Sequence, residues 1–150
     1  MNVTRESRSE EETERFAAEL AAAVPPGTVI ALEGDLGAGK TAFARGFARG
    51  LGITEPVTSP TFTILQSYEG GRLPLWHFDL YRLEDESEMD EIGYEDCFYG
   101  EGVSLVEWAS RMPDCLPANA VHVEISRVPG LGDDVRELRV SGFPAKEGEV

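Results

Sequence analysis

The segment from Gly34 to Thr41 contains the residue types that hold phosphate groups in proteins. It matches the pattern GxxxxGK[ST] at every fixed position, and glycines in this pattern let the backbone curl its N–H groups around phosphate oxygens. Lys40 is expected to reach the β- and γ-phosphates, and the Thr41 hydroxyl to ligate a bridging Mg²⁺ ion. The nucleotide contacts predicted from this loop are Asp35, Leu36, Gly37, Ala38, Gly39, Lys40, Thr41 and Ala42.

The surroundings of this loop favour phosphate binding over a chance glycine turn. A short apolar run, residues 28–32, precedes it and predicts a buried strand. Phe43, Phe47 and Leu51 then recur every four residues, and Gly52 closes the segment, which indicates an amphipathic helix. The positive end of that helix would lie at the phosphates.

The lysines of the chain indicate which base is bound. Lys40 and Lys146 are the only lysines. Guanine-specific P-loop proteins use an Asn/Thr-Lys-x-Asp element, and no lysine outside the loop and the tail is available for one. Adenine is therefore favoured, and ATP is the expected nucleotide.

Two carboxylates end predicted strands and could complete the site. Asp79 follows the run 75–78, and Glu107 follows the run 103–106. A P-loop ATPase needs such an acid near its magnesium ion and a group that positions the attacking water, so Lys40, Asp79 and Glu107 are the predicted catalytic residues. Each acid could instead be an ordinary strand-end residue that faces solvent. His77 shares a face with Asp79, but a lone histidine is more often a packed residue than a base.

The loop 57–62 lies between the P-loop helix and the next strand. It carries three hydroxyls and one rigid proline, and its position resembles that of a loop that senses the γ-phosphate. Thr61 is the candidate contact. An ordinary connecting turn fits the spacing equally well.

The remaining pattern predicts one α/β domain over residues 1–150, with a mixed sheet flanked by helices. Ser9 and Glu12 have capping-box spacing at the start of a helix that ends near Val24. Two alternating runs between residues 61 and 80 flank Glu69-Gly70-Gly71-Arg72 and predict a β-hairpin. The other predicted elements are a short helix at 84–91, strands at 103–108, 121–125 and 137–140, and a loose tail from about 143 to 150.

Composition limits the classes of function. The net charge of −15 disfavours unaided binding of DNA or RNA, which depends on clustered Lys and Arg. The sequence offers no apolar run long enough to cross a membrane and no basic, apolar leader, so a cytoplasmic location is expected. Cys97 and Cys115 are far apart without a CxxC pair and are expected to be free thiols.

Five motifs in succession resemble those of the TsaE family of bacterial ATP-binding proteins, also called YjeE. They are GDLGAGKT at Gly34, RGFARGLG at Arg45, SPTF at Ser59, HFDLYRL at His77 and VEW at Val106. The P-loop is widespread, whereas the last three motifs in this order are specific to the family.

The resemblance implies an ATPase component in the synthesis of threonylcarbamoyladenosine at position 37 of tRNA. It implies weak ATP hydrolysis alone and action with a transferase pair, TsaB and TsaD, so that tRNA is met only through the complex. By motif, Thr41 and Glu107 would be magnesium ligands, Asp79 would lie by the triphosphate, and Trp108 would shape the site. Glu10 and Arg136 match segments near the nucleotide in the family.

One residue departs from the family pattern, and two other classes of function stay open. Ala42 stands where relatives often carry a second threonine, which puts nucleotide affinity or turnover in question. A small-molecule kinase would share the P-loop but needs an acceptor pocket and an arginine-rich lid, and no arginine cluster is evident. A switch module that binds ATP with little hydrolysis has the same motifs.

Overall fold

The computed structural model describes residues 2–34, 39–58, 60 and 64–142. This part of the chain forms seven strands and four α-helices. In chain order they are β1 Val3–Ser7, α1 Glu10–Ala23, β2 Val29–Glu33, α2 Lys40–Gly50, β3 Leu65–Tyr68, β4 Leu75–Asp79, α3 Glu86–Glu91, α4 Tyr94–Phe98, β5 Val103–Glu107, β6 Val121–Arg127 and β7 Arg136–Ser141. Two short 3₁₀ turns, Ala109–Arg111 and Pro113–Cys115, follow β5.

All seven strands form one mixed sheet in the order β1-β7-β6-β2-β5-β4-β3. The four central strands β6, β2, β5 and β4 are parallel. The outer strands β3, β7 and β1 pair antiparallel with their neighbours. The predicted α/β fold with a mixed sheet is confirmed, and so is the hairpin, which consists of β3 and β4.

Helices cover both faces of the sheet. Leu105 packs with Phe16 of α1 and Phe43 of α2 in one apolar cluster. The next residue, Val106, packs with Met89 of α3 and Phe98 of α4 in a second cluster. Because consecutive strand residues point to opposite faces, the sheet lies between these two layers, and α2, the helix after the P-loop, lies on the α1 side.

Several helix and strand boundaries agree with those predicted from the sequence, and others differ. Ser9 caps α1, and its side chain accepts a hydrogen bond from the Glu12 N–H at 3.2 Å. Asp85 caps α3, so that helix begins at Glu86, two residues later than predicted. The strand predicted through Trp108 ends at Glu107, because Trp108 takes a left-handed conformation with φ of 57°.

Two elements were not predicted, β1 and α4. Strand β1 is mostly exposed and forms its ladder with β7, near the other end of the chain, so no local apolar alternation indicates it. Helix α4 has only five residues. Both cysteines are free, as expected, and both are buried. The assignment of 1–150 as one domain stays a prediction, and the tail from 143 lies outside the described residues.

Candidate functional site

The carboxyl ends of the central strands meet at one edge of the sheet. Strands β2, β5 and β4 are parallel neighbours, so their last residues lie side by side, which is where ligands bind in open α/β sheets. Helix α2 begins after the loop that follows β2, and Gly39 caps it with φ of 114°, a left-handed conformation that favours glycine.

The side chain of Lys40 points toward the carboxyl ends of these strands. It is 6% exposed, and its Nζ lies 4.0 Å from the centre of the Trp108 ring. A buried ammonium over an indole face is stabilised by the ring quadrupole. Trp108 also packs against the ring of Tyr81, whose centre is 5.0 Å away and whose side chain is half exposed. Thr41, the next helix residue, is exposed at the first turn of α2.

Asp79 and Glu107 lie opposite each other in the parallel register of β4 and β5. They are 6% and 5% exposed, so the alternative that they face solvent as ordinary strand-end acids does not hold. Asp79 Oδ1 accepts a hydrogen bond from the Tyr81 N–H at 3.0 Å. Glu107 Oε2 lies 2.6 Å from His77 Nε2.

Two residues that match segments near the nucleotide in the family, Glu10 and Arg136, lie beside the start of α2. Glu10 and Arg136 line one small cleft together with Gly39 and Ala42. Arg136 donates to the carbonyl oxygens of Asp133 and Val135. The cleft therefore brings a carboxylate from α1, Glu10, and a guanidinium group from β7, Arg136, next to helix α2.

Five residues of the predicted site cannot be located in the fold. Asp35, Leu36, Gly37, Ala38 and Thr61 lie outside the described residues, so their assignments stay predictions. Ala42, the residue that departs from the family pattern, is buried and lines the cleft that contains Glu10 and Arg136.

The residues present fit a magnesium ion that is bound partly by a nucleotide. No group of three or more His, Cys, Asp and Glu side chains among the described residues is arranged to hold a metal ion. Mg²⁺ at phosphate sites uses one or two carboxylates together with substrate oxygens, and Asp79 and Glu107 supply two buried carboxylates at one edge. Thr41 would add its hydroxyl.

Sequence reasoning missed two contacts of this site. The pair His77 and Glu107 was not anticipated, although the position of His77 two residues before Asp79 put it on the correct face. The contact of Lys40 with Trp108 was also not anticipated. Both contacts depend on how β4, β5 and α2 are placed against one another, which spacing within one element does not give.

The fold defines an α/β protein of the P-loop NTPase-like class, with the glycine-rich motif lying in the sequence between the central parallel strand β2 and helix α2. The chain belongs to the TsaE family, because the family model described as "Threonylcarbamoyl adenosine biosynthesis protein TsaE" matches residues 7–133. This confirms the resemblance drawn from the motifs.

Two curated relatives and one solved structure are similar over most of their lengths. The tRNA threonylcarbamoyladenosine biosynthesis protein TsaE of Bacillus subtilis is 53% identical over 128 residues, which cover 85% of this chain and 78% of that protein. The protein of the same name from Treponema pallidum is 44% identical over 135 residues, with coverage of 90% and 97%. The crystal structure of YdiB from Bacillus subtilis superposes with a TM-score of 0.82 at 42% identity, covering 96% of this chain and 87% of that one.

Within the described part of the chain, every helix is too short or too polar to cross a bilayer.

Proposed function

We propose that this chain binds Mg²⁺ and ATP and hydrolyses the ATP slowly, as a component of tRNA threonylcarbamoyladenosine biosynthesis. One observation supports the proposal above the others. Lys40, at the start of α2, lies at the same carboxyl end of the central strands as the buried pair Asp79 and Glu107. The relatives named for this biosynthesis supply the biological setting.

Each described residue of the site has a distinct role in the proposal. Lys40 binds the β- and γ-phosphate oxygens and stabilises the charge that they gain during hydrolysis. Thr41 and Glu107 hold the metal, directly or through its waters, and Asp79 orients the metal shell and the attacking water. The bound Mg²⁺ supplies charge neutralisation between the phosphates.

The partners follow from the family and the charge. A TsaB and TsaD type transferase pair is the proposed partner, and tRNA is contacted through that complex. A chain with 28 acidic and 13 basic residues repels a phosphate backbone unless it presents a local basic surface, so a partner that holds the tRNA fits the composition.

Four of the described arginines give little support to the kinase alternative. Arg45 and Arg49 both pair with Glu14 of α1, and Arg111 donates to the Leu83 carbonyl oxygen. Arg72 donates to two carbonyl oxygens at the end of α1. These four side chains are engaged in contacts that join elements of the fold, whereas a kinase lid needs arginines that close over the phosphates.

The test is phosphate release from MgATP by the purified chain, alone and with the TsaB and TsaD proteins of its own organism. Lys40→Ala is the site variant, and Lys146→Ala is the matched control, since it removes the only other lysine. We expect slow turnover alone, a clear increase with the pair, and a loss of about 10- to 100-fold in Lys40→Ala, because hydrogen bonds to charged groups contribute roughly 1.5–3 kcal/mol. GTP should be a poor competitor of ATP for the nucleotide site.

Three results would contradict the proposal in different ways. Failure of the wild-type chain to bind ATP rejects the nucleotide site. Binding without turnover, with or without the pair, favours the ATP-dependent switch. Transfer of phosphate to a small-molecule acceptor favours the kinase.

A further inference from the structure

His77 lies in an interior position where a polar ring is costly. It is 1% exposed, and it points to the same face of β4 as Leu75 and Asp79. Its partner in the register of β5 is Leu105, and both leucines belong to the apolar cluster on that face. An aliphatic side chain would fill this position without the desolvation cost of an imidazole.

The polar contact of this ring is with Glu107. His77 Nε2 and Glu107 Oε2 are 2.6 Å apart, and both side chains are buried. Among the described residues, the other ring nitrogen, Nδ1, has no hydrogen-bond partner. The imidazole is therefore oriented toward the strand-end carboxylate through Nε2.

We propose that His77 is a positioning residue for Glu107. The Nε2–H of His77 donates to Oε2 and fixes the rotamer of the carboxylate, which leaves Oε1 as the oxygen for the metal shell. Carboxylates that ligate metals are commonly held in this way by a second hydrogen bond, and loss of such a partner lowers metal affinity or activity roughly 10- to 100-fold. This inference rests on the proposed role of Glu107 in binding Mg²⁺.

Two amide variants separate positioning from packing. In His77→Gln, the side-chain amide nitrogen can occupy the place of Nε2 and donate to Glu107. In His77→Asn, the shorter side chain brings its amide only to the place of Nδ1, out of reach of the carboxylate. Both variants keep a polar donor of similar size, so they differ mainly in whether the contact with Glu107 can form.

The first measurement is the Mg²⁺ dependence of ATP hydrolysis, with ATP affinity in EDTA measured by calorimetry on the same samples. We expect His77→Asn to raise the Mg²⁺ concentration for half-maximal rate about tenfold or more, and His77→Gln to stay within about threefold of wild type. ATP affinity in EDTA should not change in either variant. Equal Mg²⁺ dependence in His77→Asn and wild type, with both folded by thermal melting, overturns the inference.

The second measurement needs neither metal nor turnover. The chain has two histidines, His77 and His122, so their imidazole nitrogens can be resolved by long-range ¹⁵N NMR. We expect a protected proton on Nε2 of His77 that is lost in Glu107→Ala, while the exposed His122 is unchanged. An Nε2 proton that stays protected in Glu107→Ala overturns the inference. A wild-type chain that shows this signal but never hydrolyses ATP would instead reject the proposed function and leave the contact intact.

Discussion

At the scale of single residues, the placement of Lys40 depends on an aromatic ring from another element. The left-handed backbone at Trp108 ends β5, and the indole ring lies beneath the ammonium group at 4.0 Å. Contacts of this kind contribute about 0.5–2 kcal/mol, with tryptophan the most favourable ring. Trp108 thus contacts the lysine of the P-loop motif from the residue that follows Glu107.

Replacement of Trp108 by leucine should therefore weaken MgATP binding while the fold persists. The expected loss in affinity is about 2- to 30-fold, with Trp108→Phe between wild type and leucine, and calorimetry measures it. Trp76→Leu is the matched control, because Trp76 packs against Gly100 and Gly102 instead of the site. Wild-type affinity in Trp108→Leu, or an equal loss in the control, would contradict this role.

The sequence could predict individual site residues but not their contacts. Lys40, Asp79 and Glu107 were identified from a motif and from the ends of apolar runs, and the structure brings all three to one edge of the sheet. The bond between His77 and Glu107 depends on the parallel register of β4 and β5, which are separated by two helices along the chain. No local pattern determines that register.

At the scale of elements, the motif that begins at Arg45 joins α2 to α1. A Cβ added at Gly46 would overlap the backbone of Glu14, and one at Gly50 would overlap the backbone of Ala18. Arg45 Nε donates to Glu14 Oε1 at 2.9 Å. Small residues one turn apart thus let the two helices cross in close contact, and the arginine adds a charged contact beside the crossing.

Gly46→Ala should destabilise the fold more than an alanine at an open glycine. Overpacking typically costs about 1–3 kcal/mol and occasionally more, and the loss in Gly46→Ala should reach at least the top of that range, because the added Cβ overlaps backbone atoms of Glu14 that cannot rotate away. Gly93→Ala is the control, since a Cβ there meets nothing within 4 Å and adds only the strain of φ at 71°, roughly 1–2 kcal/mol. Urea unfolding measures both. Equal losses of stability in the two variants would show that the close contact between α1 and α2 does not restrict the side chain at position 46.

Prediction of elements succeeded where the local signal was strong. Helix α1 has a side-chain cap at Ser9, and β2 is a continuous buried run. Strand β1 was missed because its stability comes from hydrogen bonds with β7 at the far end of the chain. The β1 edge of the sheet is therefore the part of this fold that sequence patterns describe least well, whereas the opposite edge strand, β3, was predicted together with its hairpin partner.

At the scale of the whole molecule, acidic residues outnumber basic ones by 28 to 13. Even if every lysine and arginine paired with one carboxylate, 15 carboxylates would lack a basic partner. The segment from Glu84 to Glu101 concentrates this excess, with nine acids and no lysine or arginine. Glu91 ends α3, where a negative charge also opposes the helix dipole. Self-repulsion should therefore reduce the stability of the compact state at low ionic strength.

Added salt is accordingly expected to stabilise this protein. Raising NaCl from about 10 mM to 0.5 M shortens the Debye length from roughly 30 Å to a few ångströms, and the melting temperature should rise by about 2–6 °C, equivalent to 1–2 kcal/mol for a chain of this size. Glu91→Gln should raise the melting temperature at low salt, with the gain disappearing at 0.5 M. Scanning calorimetry at both salt concentrations measures these changes. A melting temperature that falls with salt would mean that the pairs between Arg45, Arg49 and Glu14 outweigh the repulsion, because screening weakens attraction and repulsion alike.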